Sequence, residues 1–133
     1  MTSRFPHGPR PLETLVLDDD NGWRQLVSFN VELNLGIQPV LASNAEQAFD
    51  IMAARPIDVV ISDLFMPEMN GFQFLRLARE LFPKTKVILL SGDFDTFPLS
   101  PEQLKELGAL AAIPKAEISS TLQDLLRTLQ EAN

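Results

Sequence analysis

Short apolar runs alternate along the chain with longer segments whose apolar residues recur at helical spacing, and this alternation restricts the fold more than any other feature. Each run has the length of a single strand. The runs are Leu15 to Leu17, IQPVL (37–41), IDVVIS (57–62), KVILLS (86–91) and ALAAIP (109–114). Strands that alternate with helices form a parallel sheet with helices on both faces. The sequence therefore predicts an α/β fold of five βα units.

The segments between the runs carry helix boundary signals. Gly36 is a natural stop for the first helix. Ser100, with Pro101 at the first helical position and Gln103 three residues after the serine, is typical of a capping box. The stretch that joins Ser91 to Ser100 is long, so we expect a short fourth helix preceded by a mobile loop.

Two prolines indicate the order of the strands. Proline has no N–H to donate to a neighbouring strand, so a strand that contains proline belongs at a sheet edge. Pro39 lies in the second run and Pro114 in the fifth. Of the common doubly wound arrangements, the flavodoxin-like order 2-1-3-4-5 places both of these strands at edges. This order makes strands one and three neighbours, and ligands bind beyond their carboxyl ends.

Composition excludes several classes of function. Eighteen acidic and eleven basic residues give a net charge of −7, which disfavours nucleic-acid and acidic-membrane partners. The chain has no cysteine, and its one histidine, His7, lies outside the predicted strands and helices, so thiolate, imidazole and Cys-ligated zinc chemistry are excluded from the core. No apolar run is long enough to span a membrane, and no signal peptide is evident. We expect a cytoplasmic protein with a flexible leader (1–12) and one folded domain (13–133).

Carboxylates collect at the predicted ligand-binding edge. Asp18, Asp19 and Asp20 follow the first strand, and Asp63 follows the third. Carboxylates this close do not all ionise readily unless a cation joins them. Ligation by oxygen alone favours Mg²⁺ (or Mn²⁺). Asp20 or Asn21 can equally serve as the cap of the first helix.

Donor groups follow the later strands at the same edge. Ser91 and Gly92 end the fourth strand, and Lys115 ends the fifth. A hydroxyl and an ammonium beside a metal site are suited to binding phosphoryl oxygens, with one carboxylate as the nucleophile. Trp23, early in the first helix, is expected to pack in the core or at the edge of this site.

Four motifs in this order resemble the receiver domain of two-component response regulators. They are VLDDD (16–20), VVISDLFMPEMNG (59–71), VILLSG (87–92) and IPK (113–115). The second motif is fairly specific by itself, and the ordered set is strong. The resemblance extends from about Leu15 to Leu129, nearly the whole chain.

The resemblance implies roles for the acidic residues. Asp63 would accept the phosphoryl group. Asp19 and Asp63 would bind Mg²⁺ directly together with the backbone carbonyl of Phe65, and Asp18 would act through metal-bound water. Phe65 and Asp93 occupy positions that tune the lifetime of the phosphoryl group in this family.

The resemblance also implies roles for the donors and for partners. Ser91 and the Gly92 amide would bind phosphoryl oxygens, and Lys115 would pair with the phosphoryl group or with Asp63. The phosphoryl donor would be a histidine kinase or a histidine phosphotransfer protein. The chain would then be a stand-alone receiver, read by a protein partner in trans, and not an enzyme beyond self-catalysed phosphorylation and dephosphorylation.

Two features depart from the family pattern. Receivers usually have proline after the lysine, in a cis peptide bond, but here Pro114 precedes Lys115 and Ala116 follows it. Either the bond after Lys115 is trans and the lysine lies differently, or the chain tolerates a cis bond that costs about 3 kcal/mol. The aromatic switch residue of the family is replaced by Ala112, so we expect rewired or weak signalling through that surface.

Two other functions compete with this interpretation. A pseudo-receiver would keep the fold and bind partners without phosphorylation, which the departures favour. A phosphatase of the haloacid-dehalogenase type would use Asp18 and Asp20 as its Asp-x-Asp pair. That enzyme needs acidic metal ligands after the lysine, where Glu117, Asp124 and Glu131 occur in helical context, and it leaves Asp63 without a role.

Overall fold

A computed structural model describes residues 10–132 and has the predicted α/β architecture. The strands are β1 Thr14–Leu17, β2 Val40–Ala42, β3 Val59–Asp63, β4 Lys86–Ser91 and β5 Ala111–Pro114. The helices are α1 Asn21–Leu35, α2 Ala45–Ala54, α3 Gly71–Leu81, α4 Pro101–Glu106 and α5 Gln123–Ala132. The strands pair in parallel in the order β2-β1-β3-β4-β5. The predicted doubly wound, flavodoxin-like sheet is confirmed.

Pro39 lies just outside the strand that it was predicted to belong to. The sequence predicts a second strand that includes Pro39, but β2 begins at Val40, which pairs with Leu15 of β1. Pro39 is buried immediately before the first paired residue and does not interrupt the sheet. Pro114 is the last residue of β5, opposite Ser91. Both prolines are therefore compatible with edge strands, although only Pro114 lies within one.

Side chains alternate along each strand between two cores, one on each face of the sheet. In β1, for example, Leu15 and Leu17 enter one core and Val16 enters the other. Helices α2, α3 and α4 cover the first core, and α1 and α5 cover the second. Burying each large aliphatic side chain contributes roughly 1.5–3 kcal/mol, so these two layers stabilise the positions of the strand ends.

The N-terminus of α1 is fixed by a side-chain cap. The Trp23 backbone N–H donates to Asp20 Oδ1 at 2.9 Å, and Val27 and Val31 anchor the helix in the second core. At its other end, Gly36 has a φ of 71°, the left-handed conformation that commonly ends a helix. The Asp20 cap and the buried Val27 therefore hold the start of α1 beside the end of β1.

The fourth helix is as short as predicted. It has six residues and starts with the expected capping box, in which Ser100 and Gln103 exchange hydrogen bonds and Pro101 occupies the first turn. A second capping box, formed by Asn70 and Gln73, starts α3. Helix α3 therefore begins at Gly71, the last residue of the VVISDLFMPEMNG motif (59–71).

The first described residues pack against the domain. Arg10 pairs with Asp58 at 2.7 Å, and Leu12 is buried in the second core. Gln130 of α5 accepts a hydrogen bond from the Leu12 N–H and donates one to the Arg10 carbonyl. Residues 1–9 of the predicted leader and residue 133 lie outside the described part of the chain. Within residues 10–132, no helix combines the length and apolar character needed to cross a membrane.

Candidate functional site

Three of the predicted aspartates meet at the carboxyl edge of the sheet. Strands β1 and β3 are neighbours, with Leu17 opposite Ser62, so the residues that follow each end lie side by side. Asp18, Asp19 and Asp63 each offer a carboxylate oxygen within 4.8 Å of the others. Asp18 and Asp63 are buried and Asp19 is exposed, so the cluster has one open side.

The third aspartate of the triplet has a different role. Asp20 Oδ1 caps α1, and the Asp20 backbone N–H donates to Asp18 Oδ1 at 2.9 Å. Asp20 therefore fixes the first turn of the helix and the orientation of the Asp18 carboxylate. The sequence left open whether Asp20 belongs to the metal site or caps the first helix, and in the structure it is the helix cap.

Lys115 reaches the cluster. Its Nζ lies 3.3 Å from Asp18 Oδ2 and 3.2 Å from Asp63 Oδ1, and its side chain is 9% exposed. No peptide bond among residues 10–132 is cis, so the alternative of a cis bond between Lys115 and Ala116 is wrong. The lysine is nevertheless in contact with Asp63, although Pro114 precedes it and Ala116 follows it.

Trp23 also contacts the lysine, and this contact was not predicted from the sequence. The Lys115 Nζ lies 4.7 Å from the centroid of the Trp23 ring. Trp23 is half-buried at the edge of the site, as expected, but its ring also faces a cation. The one signal in the sequence was its spacing, three residues after the Asp20 cap.

Ser91 and Gly92 lie where the order of the strands predicts them. Ser91 is fully buried at the end of β4, and its Oγ accepts a hydrogen bond from the Asp93 N–H at 3.0 Å. Gly92 is exposed, and a Cβ at this position would meet nothing within 4 Å. Because Asp63 pairs with Leu90, Ser91 lies one residue beyond the level of Asp63 on the adjacent strand.

Two phenylalanines connect the loops on either side of the site. Phe65 follows Asp63 by two residues, and Phe97 lies on the loop after β4. Their rings meet edge to face, with centroids 5.6 Å apart and an interplanar angle of 78°. Phe94 and Phe97 are half-buried and pack the long loop against the first core. Ala112 is half-buried against the same core.

The backbone of Asp63 is closely packed by the start of α3. The Gly71 N–H donates to the Leu64 carbonyl at 2.8 Å. A Cβ at position 71 would lie 2.6 Å from the Asp63 carbonyl oxygen and 2.8 Å from the Leu64 Cα. Glycine is therefore required here by space, and the close approach holds the end of β3 in place.

Burial and mutual repulsion disfavour ionisation of the two buried carboxylates in the cluster. Burial raises the pKa of Asp63 to about 6, with a further increase from the Asp18 charge and a partial offset by Lys115. Burial also raises the pKa of Asp18, against the opposing effects of the Asp20 N–H and Lys115. Positive charge at this position therefore stabilises the ionised carboxylates.

The donor set suits a hard divalent cation. Three carboxylates within 4.8 Å of one another offer only oxygen ligands, which Mg²⁺ and Mn²⁺ prefer. The exposed side of Asp19 leaves room for water or a phosphoryl oxygen. A haloacid-dehalogenase phosphatase would need acidic metal ligands after the lysine. The candidates there are Glu117, Asp124 and Glu131, and none of them belongs to this cluster.

Comparisons with known proteins agree on one family. A sequence profile of the response regulator receiver domain matches residues 14–127. Sensory/regulatory protein RpfC of Xanthomonas campestris pv. campestris is 32% identical over 127 residues, which cover 90% of this chain and 17% of RpfC. Autoinducer 1 sensor kinase/phosphatase LuxN of Vibrio campbellii is 35% identical over 79 residues, which cover 59% of this chain and 9% of LuxN. The chain thus spans a small part of both curated relatives.

A solved structure extends the likeness to the whole fold. The crystal structure of a response regulator receiver domain protein from Clostridium thermocellum superposes with a TM-score of 0.71 at 27% sequence identity. The match covers 90% of this chain and 97% of that chain.

Proposed function

Because the chain belongs to the response regulator receiver domain family, we propose that it is a phospho-acceptor whose Asp63 takes a phosphoryl group from a phosphohistidine. Receiver domains interact with histidine kinases or histidine phosphotransfer proteins, and one of these is the donor. The phosphorylated chain then controls the binding of a protein partner or passes the phosphoryl group on. The observation that carries the proposal is the convergence of Asp63 with Asp18, Asp19 and Lys115.

The reaction is a displacement at phosphorus. A carboxylate oxygen of Asp63 forms the new O–P bond while the N–P bond of the phosphohistidine breaks. The electron pair of that bond stays on the imidazole nitrogen, and the ring leaves as a neutral group when its second nitrogen is protonated. Asp63 must be ionised to attack, and because its pKa is about 6, most of it is ionised at pH 7 even without a metal.

The other residues of the site neutralise charge. The Lys115 ammonium, the Ser91 hydroxyl and the Gly92 N–H are donors for the phosphoryl oxygens, and such preorganised donors are the main source of catalysis in phosphoryl transfer. Ser91 Oγ accepts its present hydrogen bond from the Asp93 N–H, so its own O–H proton is free to be donated to a phosphoryl oxygen.

The carboxylates would hold Mg²⁺ (or Mn²⁺). Asp19 and Asp63 would bind it directly with the Phe65 carbonyl, and Asp18 through bound water. When bound, the cation supplies positive charge that offsets the phosphoryl oxygens. The Lys115 ammonium is ion-paired with both Asp18 and Asp63, so its position depends on the charge of these two carboxylates.

The proposal is tested by intact mass spectrometry. The protein is incubated with Mg²⁺ and acetyl phosphate, and the expected result is one added phosphoryl group. Asp63→Asn abolishes the adduct, while the matched variant Asp95→Asn, which removes an exposed carboxylate from the loop after β4, retains it. Absence of an adduct on the unaltered chain would instead indicate a pseudo-receiver, and an adduct that survives Asp63→Asn would contradict the assignment of the acceptor.

A further inference from the structure

The Lys115 ammonium has two kinds of neighbour. The carboxylates of Asp18 and Asp63 lie within 3.3 Å of Nζ, and the ring of Trp23 lies 4.7 Å away. The ion pairs are part of the site already described. The ring contact has no counterpart in the motifs from which the site was predicted.

Lys115 needs a restraint that does not depend on the carboxylates. Its side chain is flexible, and it begins a single 3₁₀ turn, Lys115–Glu117, directly after β5. A divalent cation held by Asp19 and Asp63, and by Asp18 through water, offsets the negative charge that now holds the ammonium, and it also repels the ammonium. A lysine held by carboxylates alone would therefore be loosened when the cation binds.

An aromatic ring provides such a restraint. The face of an indole attracts an ammonium through its quadrupole, and tryptophan is the strongest of the aromatic side chains in this respect. The ring keeps this property whether or not the carboxylates are neutralised. Because the Asp20 cap and the buried Val27 fix the first turn of α1, the ring is also held in position before the cation arrives.

We propose that Trp23 is a positioning residue for Lys115: its ring keeps the ammonium beside Asp63 when a divalent cation binds the carboxylates. The effect on the reaction rests on the proposed phospho-acceptor function, whereas the contact itself does not. Trp23 acts through Lys115 and needs no contact with the phosphoryl group.

The first test compares rates of phosphorylation by acetyl phosphate at saturating Mg²⁺. Trp23→Leu is expected to slow the reaction by about threefold to tenfold, and Trp23→Phe, which keeps a weaker π face, by a smaller factor. Phe29→Leu is the matched control, because it removes an exposed aromatic ring from the same helix and leaves the rate unchanged. Urea unfolding confirms that each variant is folded under the assay conditions.

A double-mutant cycle separates positioning from a general effect on the fold. Lys115→Met removes the ammonium and keeps an apolar side chain of similar length. In that background, Trp23→Leu is expected to cause no further loss of rate. If Trp23→Leu slows the Lys115→Met protein by the same factor as the unaltered protein, Trp23 does not act through the lysine and the proposal is wrong.

A second readout needs no phosphorylation. In the Mg²⁺-loaded protein, the ring current of Trp23 is expected to move the NMR signals of the Lys115 ε-methylene protons upfield. Trp23→Leu abolishes this shift, and Trp23→Phe keeps part of it. If the shift disappears when Mg²⁺ is added to the unaltered protein, the ring does not hold the lysine and the proposal fails. If the shift persists in a protein that takes up no phosphoryl group, the positioning contact stands and the phospho-acceptor function fails.

Discussion

The ammonium of Lys115 lies 3.2 Å from Asp63 Oδ1, and both side chains are more than nine-tenths buried. Replacing the lysine by methionine leaves two buried carboxylates without their cation. We expect Lys115→Met to lower the free energy of unfolding at pH 8 by about 1–3 kcal/mol in the absence of Mg²⁺. Urea unfolding measures this change, and added Mg²⁺ restores most of the loss. Lys84→Met, at an exposed lysine, serves as the control, and an equal loss in both variants would contradict the prediction.

The raised pKa of Asp63 predicts a dependence of stability on pH. The carboxyl titrates near its ordinary value of 3.8 in the unfolded chain and at about 6 in the folded one. Between these values the folded state binds more protons, so the free energy of unfolding falls as pH rises through this window. Without a metal, Asp63→Asn is expected to be more stable than the unaltered protein at pH 8, by about 1–3 kcal/mol, and nearly equal to it at pH 4. A less stable Asp63→Asn protein at pH 8 would exclude this explanation.

Asp20 is predicted to support the helix and not the metal. Asp20→Ala should reduce the free energy of unfolding by about 1 kcal/mol, while Asp20→Ser, which keeps a capping oxygen, should change it by only a few tenths. Titration with Mg²⁺ checks the second half of the prediction. Asp20→Ser should bind Mg²⁺ much as the unaltered protein does, whereas Asp19→Asn should bind it far more weakly. Equal weakening in the two variants would make Asp20 a ligand.

The pair of Phe65 and Phe97 is predicted to lengthen the lifetime of the phosphorylated state. Phe97→Leu removes the edge-to-face partner of Phe65, and the freed ring then screens the acyl phosphate less well from water. We expect the phosphoryl group to be lost about twofold to tenfold faster, since an aromatic pair contributes about 0.5–1.5 kcal/mol. Intact mass measured at intervals after removal of the donor follows the decay. Phe29→Leu should decay at the unaltered rate, and a Phe97→Leu protein that does the same would disprove the effect.

Much of the fold could be predicted because its signals are local. The alternation of apolar runs with helical segments specifies the βα units, and the helix caps at Gly36 and Ser100 are short-range hydrogen-bonding patterns. The strand order was also right, although Pro39 lies outside the strand that it was thought to mark. The predicted order was still correct because a proline within an edge strand and a proline beside one are both compatible with the edge position.

The convergence of Asp18, Asp19 and Asp63 followed from topology, since adjacent parallel strands end at the same edge. The role of Asp20 remained open because a carboxylate after a strand can face either the edge of the sheet or the next helix. The contact of Trp23 with Lys115 depends on the rotation of α1 and on the path of a long side chain from β5. Such relationships between distant segments are set by packing, and the spacing of Trp23 from the Asp20 cap does not identify Lys115 as its partner.

The lack of space for a side chain at Gly71 affects how sequence variation in this protein is interpreted. A library of random substitutions, selected for phosphorylation, should be depleted of nearly every replacement at Gly71, since even a methyl group there would displace the backbone that carries Asp63. The depletion would resemble that at a reactive residue, although glycine contributes no chemistry of its own. Intolerance at this position would therefore report the space between α3 and the end of β3.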